Sequence, residues 1–199
     1  GCGLVTAAVP QGVQAGFVSR PMEIMTEGLP ETPEGTLAES GIPRLLSLLE
    51  GKQAVAIGPG LTTHPQTKRL VHELLRRARV PVVLDADGVN AFAGEEGALS
   101  GRKRPLVLTP HPGEMGRLLG TSSRDVQSRR LPLPRDFARR HHCFLVLKGH
   151  RSLVATPGGV VHVNSTGNPG MATGGAGDVL SGLLAGLIGQ GVDGTAVAR

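Results

Sequence analysis

The chain has no tryptophan, no tyrosine and only four phenylalanines in 199 residues. Proteins that hold single-stranded nucleic acid stack bases on aromatic side chains, so nucleic acid is not an expected partner. The core must be built from Val, Leu, Ile and Ala instead. Cysteine is equally scarce: Cys2 and Cys143 stand far apart and form no metal-ligand spacing. Such sparse usage suits a reducing compartment, and a cytoplasmic location is expected. The longest strongly apolar stretch, Val179 to Ile188, is too short to span a bilayer. No basic region followed by an apolar run opens the chain, so neither membrane attachment nor an export signal is expected.

Glycine and valine-type residues are plentiful by contrast. There are 30 Gly, 15 Pro and 39% hydrophobic residues. That apolar share excludes a disordered chain, and the length suggests one domain. The glycines have no collagen-like period; they crowd together at 167–177. The net charge of +5 comes from clusters such as Arg76, Arg77 and Arg79, Arg102 to Arg104, Arg129 and Arg130, and Arg139 and Arg140. These read as a solvated surface, although a phosphate-bearing substrate fits the positive balance equally well.

Short apolar runs alternate with helical patterns along the chain. Leu4–Val9, Gln53–Ile57, Pro81–Leu84, Leu106–Leu108 and Phe144–Leu147 read as buried strands. Thr26–Pro43 reads as a surface loop, and Leu45–Leu49 as part of a short helix. Thr63 is placed to cap a helix with Pro65 early and Leu70, Val71, Leu74, Leu75 and Ala78 on its apolar face. Residues 123–140 are helical in composition, but Leu131-Pro-Leu-Pro134 must interrupt them. Leu153–Ala155 and Val160–Val163 flank Thr156-Pro-Gly-Gly159, a hairpin signal. Ala176, Val179, Leu180, Leu183, Leu184, Leu187 and Ile188 form the apolar stripe of a last helix, stopped by Gly189 and Gly191. The pattern predicts an α/β fold, a mostly parallel central sheet with helices on both faces and an antiparallel hairpin at one edge. In such sheets ligands bind beyond the carboxyl ends of the strands. Gly58–Gly60, Asp85–Asp87, Thr109–Glu114 and Lys148-Gly149 all fall at those ends.

The strongest motif runs from Asn164 to Asp178, NSTGNPGMATGGAGD, straight into the last helix. Consecutive small residues let backbone amides converge where a helix begins, which suits an anion. The amides at that helix start are the expected anion site, and Asp178 a general base beside it. A base next to a phosphate cradle is what phosphoryl transfer to a hydroxyl needs. No GxxxxGK[ST], GxGxxG, GxSxG or paired-histidine metal motif occurs.

Gly58-Pro-Gly-Leu61, Leu84-Asp-Ala-Asp87 with Asn90, Leu108-Thr-Pro-His-Pro-Gly-Glu114, Leu147-Lys-Gly149 and the Asn164–Asp178 block occur in one order and spacing. Together they resemble the ADP-dependent NAD(P)H-hydrate dehydratases, a branch of the ribokinase-like superfamily. The resemblance covers nearly the whole chain and implies a three-layer ribokinase-like fold. It implies a repair reaction in which ADP drives dehydration of NADHX and NADPHX, releasing AMP and phosphate, with Mg2+ as cofactor. Asp178 would then deprotonate the ring hydroxyl that attacks the terminal phosphate, and the amides of Gly175, Ala176 and Gly177 would form the anion hole for the transferring group. Gly58, Gly60 and His111 would contact the hydrate; Lys148, Gly149, His150, Arg151, Ser152 and Gly177 would line the adenine nucleotide. Glu114, Asp85 and Asp87 are candidates for the magnesium and phosphate environment through water, with no direct metal ligand. His111 could instead cap the following helix, though an imidazole buried at a strand end is costly to keep idle. Asp85 and Asp87 could equally be turn formers.

The resemblance also implies a homo-oligomer, and an NAD(P)H-hydrate epimerase domain in the parent gene. Residues 1–199 then read as one ribokinase-like domain lacking its first strand and helix and its C-terminal helices. Thr62 stands where the family has glycine, and His150-Arg151 replace smaller residues. A small-molecule kinase of the same fold, acting on a vitamin precursor, and a nucleotide-binding remnant without turnover are the alternatives.

Overall fold

The computed structural model describes residues 2–18 and 23–192. Six strands form the main sheet: β3 (Val55–Ile57), β4 (Val82–Leu84), β5 (Leu106–Leu108), β6 (Phe144–Leu147), β7 (Leu153–Ala155) and β8 (Val161–Val163), in that spatial order. The first four run parallel, and β7 and β8 return antiparallel as the expected edge hairpin. A tight turn closes that hairpin, Gly159 N donating to Thr156 O at 2.8 Å.

The helices follow the strands in chain order: α1 (Gln11–Val18), α2 (Ile42–Leu48), α3 (Pro65–Arg77), α4 (Ala86–Asn90), α5 (Pro112–Leu119), α6 (Ser123–Ser128), α7 (Pro132–His141) and α8 (Ala176–Gly189). The parallel strands are apolar at every position because both sheet faces are covered. Val82, Leu84, Leu106, Leu108, Leu145 and Leu147 join the larger core with Leu70, Val71, Leu74, Met115, Leu118 and Phe137 of α3, α5 and α7. Val83, Val107 and Val146, one residue out of phase, pack against Leu184 and Ile188 of α8. Burying such aliphatic side chains contributes roughly 1.5–3 kcal/mol each.

Several local expectations need correction. The segment read as a loop from Thr26 opens with a strand, β2 (Ile24–Leu29), which pairs parallel with β1 (Val5–Pro10) in a separate two-stranded sheet. Glu27 and Gly28 disguise it, and the pair is only half covered, so no apolar run marks it. Helix α1 was equally invisible because Gly12 and Gly16 dilute its pattern. Pro65 takes the first helical position of α3, so its cap is His64, whose Nδ1 accepts from Gln66 N at 3.2 Å, and not Thr63. The break near the Leu131–Pro134 stretch falls between Ser128 and Pro132. Pro132 and Pro134 then lie in the first turn of α7, where the missing amides cost nothing.

Helix α8 departs most from its pattern. Val179 and Leu183, on the expected apolar stripe, are 72% and 58% exposed, whereas Ser181 beside the stripe is buried. Continuation by helices beyond Gly191 concerns residues outside those described.

Candidate active site

Four strand ends and the start of α8 meet at one edge of the main sheet. Gly58 follows β3 with φ 146, and a Cβ there would stand 1.7 Å from Asp85 O. Gly88, in the middle of α4, faces it: a Cβ would lie 2.4 Å from Ile57 O. Side chains at either position would drive β3 and α4 apart, so glycine is required by contact at both and by backbone geometry as well at Gly58.

Asp85, immediately after β4, is 1% exposed. Its Oδ1 accepts from Lys148 Nζ at 2.7 Å and its Oδ2 from Ser181 Oγ at 2.7 Å. Burial pushes this carboxyl up, but hydrogen bonds from Lys148, Ser181 and Thr109 outweigh it and hold the pKa below the ordinary value. Lys148 Nζ also lies 3.6 Å from Glu114 Oε2, so one ammonium spans two buried carboxylates. Lys148 N donates to Pro110 O at 2.9 Å, tying the end of β6 to the end of β5.

Glu114 and His111 form a reciprocal cap on α5. His111 Nδ1 accepts from Gly113 N and Glu114 N at 3.0 and 3.3 Å, while His111 N donates to Glu114 Oε2 at 2.7 Å. The His111 side chain is 49% exposed, so the premise of a buried imidazole does not hold. Its Nδ1 is spent on the cap, and Nε2 lies 3.4 Å from Glu114 Oε1. The motif Pro-His-Pro-Gly-Glu is thus first a helix start.

Asp87 behaves as a loop-satisfying residue. Its Oδ2 accepts from Thr62 N at 2.9 Å and its Oδ1 from Asn90 Nδ2 at 3.1 Å. Asn90 Oδ1 in turn accepts from Arg117 Nε at 2.9 Å, linking the Gly58–Thr62 turn to α4 and α5. Gly60 lies in that turn with φ 73, and Thr62 has φ 65, the left-handed conformation its family position fills with glycine.

The long glycine-rich segment delivers α8 to this cluster. Gly175 caps the helix with φ 86. A Cβ at Gly177 would be 3.5 Å from Lys148 Nζ and 3.6 Å from Asp85 Oδ2, so the first turn of α8 sits directly on the ion pair. Asp178, next in that turn, is exposed. Of the three expected anion-hole amides, that of Ala176 is turned to Thr173 O at 3.3 Å; the first amides of a helix otherwise lack intrahelical partners. The Lys148–Ser152 loop carries Gly149 at φ 138 and Arg151 at φ 53, and Ser152 Oγ donates to Gly149 O at 3.0 Å.

Direct contacts thus join Gly58, Asp85, His111, Glu114, Lys148 and Gly177 at this edge of the sheet. Two participants escaped notice. Ser181 was hidden inside a helix pattern that asked only about apolar positions. Arg130, read as solvated surface, donates from Nη2 to His150 O at 3.2 Å and from Nη1 to Gln127 Oε1 at 2.9 Å. Among the described residues no three His, Cys, Asp or Glu side chains group to hold a metal ion.

A mostly parallel sheet with helices on both faces, an antiparallel edge hairpin and a glycine-rich helix start at the strand ends define the ribokinase-like class. The structure of a ribokinase-like superfamily protein from Enterococcus faecalis V583 is similar, with TM-score 0.76 and 26% identity over 94% of this chain and 62% of that one. The family model for NAD(P)H-hydrate dehydratase matches residues 1–198, and the chain belongs to that family. It is 53% identical over 192 residues to the bifunctional NAD(P)H-hydrate repair enzyme Nnr of Moorella thermoacetica, covering 96% of this chain and 36% of the relative. The chain thus spans about a third of the length of the curated relatives it matches. An ADP/ATP-dependent NAD(P)H-hydrate dehydratase from Bacillus subtilis, co-crystallised with ATP/Mg2+ and soaked with CoA, is 26% identical with TM-score 0.64 over 98% of this chain and 77% of that one.

Proposed function

We propose that this chain catalyses the dehydration of NADHX and NADPHX with ADP as phosphate donor, yielding NADH or NADPH, AMP and phosphate. The observation that carries this reading is the seating of Gly177 and Ser181 on Asp85 and Lys148. Asp178 follows Gly177 in the first turn of α8, and the Gly58–Gly60 turn, His111 and the Lys148–Ser152 loop follow the ends of neighbouring strands, which supports a shared site. In this reading Asp178 takes the proton of the ring hydroxyl as that oxygen attacks the terminal phosphorus of ADP. The bond from phosphorus to the bridging oxygen breaks, and AMP leaves with the electron pair. Amides of Gly175 and Gly177 meet the charge on the transferring group, where preorganised donors are worth most. The bond from the ring carbon to the ester oxygen then breaks, and phosphate leaves with that electron pair. A neighbouring ring carbon gives its proton to solvent as its C–H pair forms the double bond, restoring the dihydropyridine. His111 Nε2 and the turn at Gly58 and Gly60 would hold the hydrate; Gly149, His150, Arg151 and Ser152 would line the nucleotide.

The carboxylates do not build a cage for a divalent cation. Lys148 Nζ already stands against Asp85 and Glu114, and Asp87 is spent on Thr62 and Asn90. Magnesium would therefore arrive on the nucleotide's phosphates, and no step is assigned to it. The relatives are bifunctional, and we assign the epimerase of the same repair route to a domain elsewhere in the parent chain. A homo-oligomer in the cytoplasm belongs to the same reading.

The test incubates the 199-residue chain with hydrated NADH and either ADP or ATP. Recovery of the dihydropyridine absorbance is expected, and Asp178→Asn should lower its rate by about 100-fold or more at an unchanged melting temperature. Phosphorylated alcohol without recovered absorbance would assign a kinase instead. Wild-type turnover in Asp178→Asn would remove the base assignment.

A further inference from the structure

We infer that Arg130 is the cation that meets the phosphates of the nucleotide at the Lys148–Ser152 loop, and that it positions that loop for them. The inference rests on the nucleotide reading of the loop given above. Lys148 is the obvious cation by sequence, but its ammonium is matched by Asp85 at 2.7 Å and Glu114 at 3.6 Å. One positive charge against two carboxylates leaves that cluster negative, an environment that repels a polyphosphate. Some other charge must compensate for it.

Arg130 lies between α6 and α7, outside every motif that carries the family resemblance. Its guanidinium stands over the loop backbone: a Cβ on Gly149 would be 3.1 Å from Nη2 and 3.3 Å from Nη1. Nη2 donates to His150 O and Nη1 to Gln127 Oε1, at 3.2 and 2.9 Å. Among the described residues no carboxylate pairs with it. A guanidinium has five N–H donors, so three remain for a ligand. Partial burial pulls its pKa below the usual value, a desolvation cost that a bound anion would offset. Arg151 is also on the loop, but it is exposed and makes no hydrogen bond or ion pair among the described residues. The anchored guanidinium loses less freedom on binding, which favours it as the phosphate contact.

Affinities of the full chain for ADP, AMP and adenosine, measured by titration calorimetry at low and high salt, separate charge recognition from loop support. Arg130→Gln should weaken ADP about tenfold or more, the loss expected for one charge-assisted hydrogen bond, while adenosine changes less than twofold. Gln127→Ala, on an exposed residue, loosens the anchor without removing the charge and should weaken ADP by a smaller factor. Equal losses for ADP and adenosine would reduce Arg130 to a structural support and overturn the inference. So would unchanged ADP affinity in Arg130→Gln. A wild-type chain that binds no ADP would overturn the nucleotide reading beneath it as well.

Discussion

Ser181 Oγ donates to Asp85 Oδ2 at 2.7 Å, joining residues 96 apart in the sequence. This bond, with Gly177 against Lys148, holds the start of α8 on the strand ends. Ser181→Ala leaves a buried carboxylate oxygen without its donor, at a cost of about 1–3 kcal/mol. Urea denaturation should show that loss. If α8 seating sets the catalytic geometry, the turnover number should also fall while thermal stability stays well above the assay temperature.

Lys148 is the cation shared by Asp85 and Glu114, so its removal should change the pH dependence of stability in a defined direction. The pKa of Asp85 is lowered in the folded state from an ordinary 3.8. Its ionised form therefore stabilises the fold above that ordinary value, and the contribution is lost as pH falls through the lower folded value. In Lys148→Met the main attraction is gone and burial raises the Asp85 pKa instead. The variant should be destabilised by about 3–5 kcal/mol at pH 7, and less so at pH 4. A difference between the two proteins that stays constant from pH 7 to pH 4 would contradict this.

Thr62 is a β-branched residue at φ 65. A left-handed conformation costs an ordinary L-residue about 1–2 kcal/mol, and glycine almost nothing. The greater freedom of glycine in the unfolded chain offsets part of this gain. Thr62→Gly should stabilise the fold by about 0.5–1 kcal/mol, read as a melting temperature raised by about 1–4 °C, because the residue 62 amide keeps its bond to Asp87.

The two thiols should differ sharply in reactivity. Cys143 is fully buried, and burial pushes its thiol up to about 12, whereas Cys2 is exposed. A disulfide reagent at pH 8 should label one thiol per native chain and both in denaturant. Rapid labelling of both in the native state would show that the segment around β6 opens.

Much of this molecule is written in short-range patterns. Leu-Val-Leu at 106–108 and Val-Val-Leu at 82–84 announce buried parallel strands because both faces must be apolar. Pro65, and the His111–Glu114 pair, announce helix starts through local backbone bonding. The glycine-rich run into Asp178 is legible because only small residues permit such a loop and helix start. Its placement is not a local matter: the run leaves β8 at one edge of the sheet, and α8 packs on β3 and β4 at the other. The family blocks lie in loops, where each residue answers to a nearby backbone or ligand and so keeps a recognisable order.

Other features depended on what the chain brings near. Nothing in Ile24–Leu29 marks a strand until β1 lies beside it, since half-exposed strands with Glu27 and Gly28 carry no periodic signal. The stripe on α8 predicted burial of Val179 and Leu183 together with Leu184 and Ile188, yet the sheet face formed by Val83, Val107 and Val146 accepts only the latter pair and leaves the former exposed. Periodicity identifies a helix; the shape of its neighbour chooses the face. Lys148 reads as a free cation in sequence, and only the fold shows it held by Asp85 and Glu114 while Arg130 stays without a carboxylate. By itself the sequence determined where the buried parallel strands, the edge hairpin and the proline- and glycine-marked helix starts fall, because those answer to bonds within a few residues. Tertiary structure alone decided which charges are matched and which side chains are covered, because burial and ion pairing depend on groups tens of residues apart.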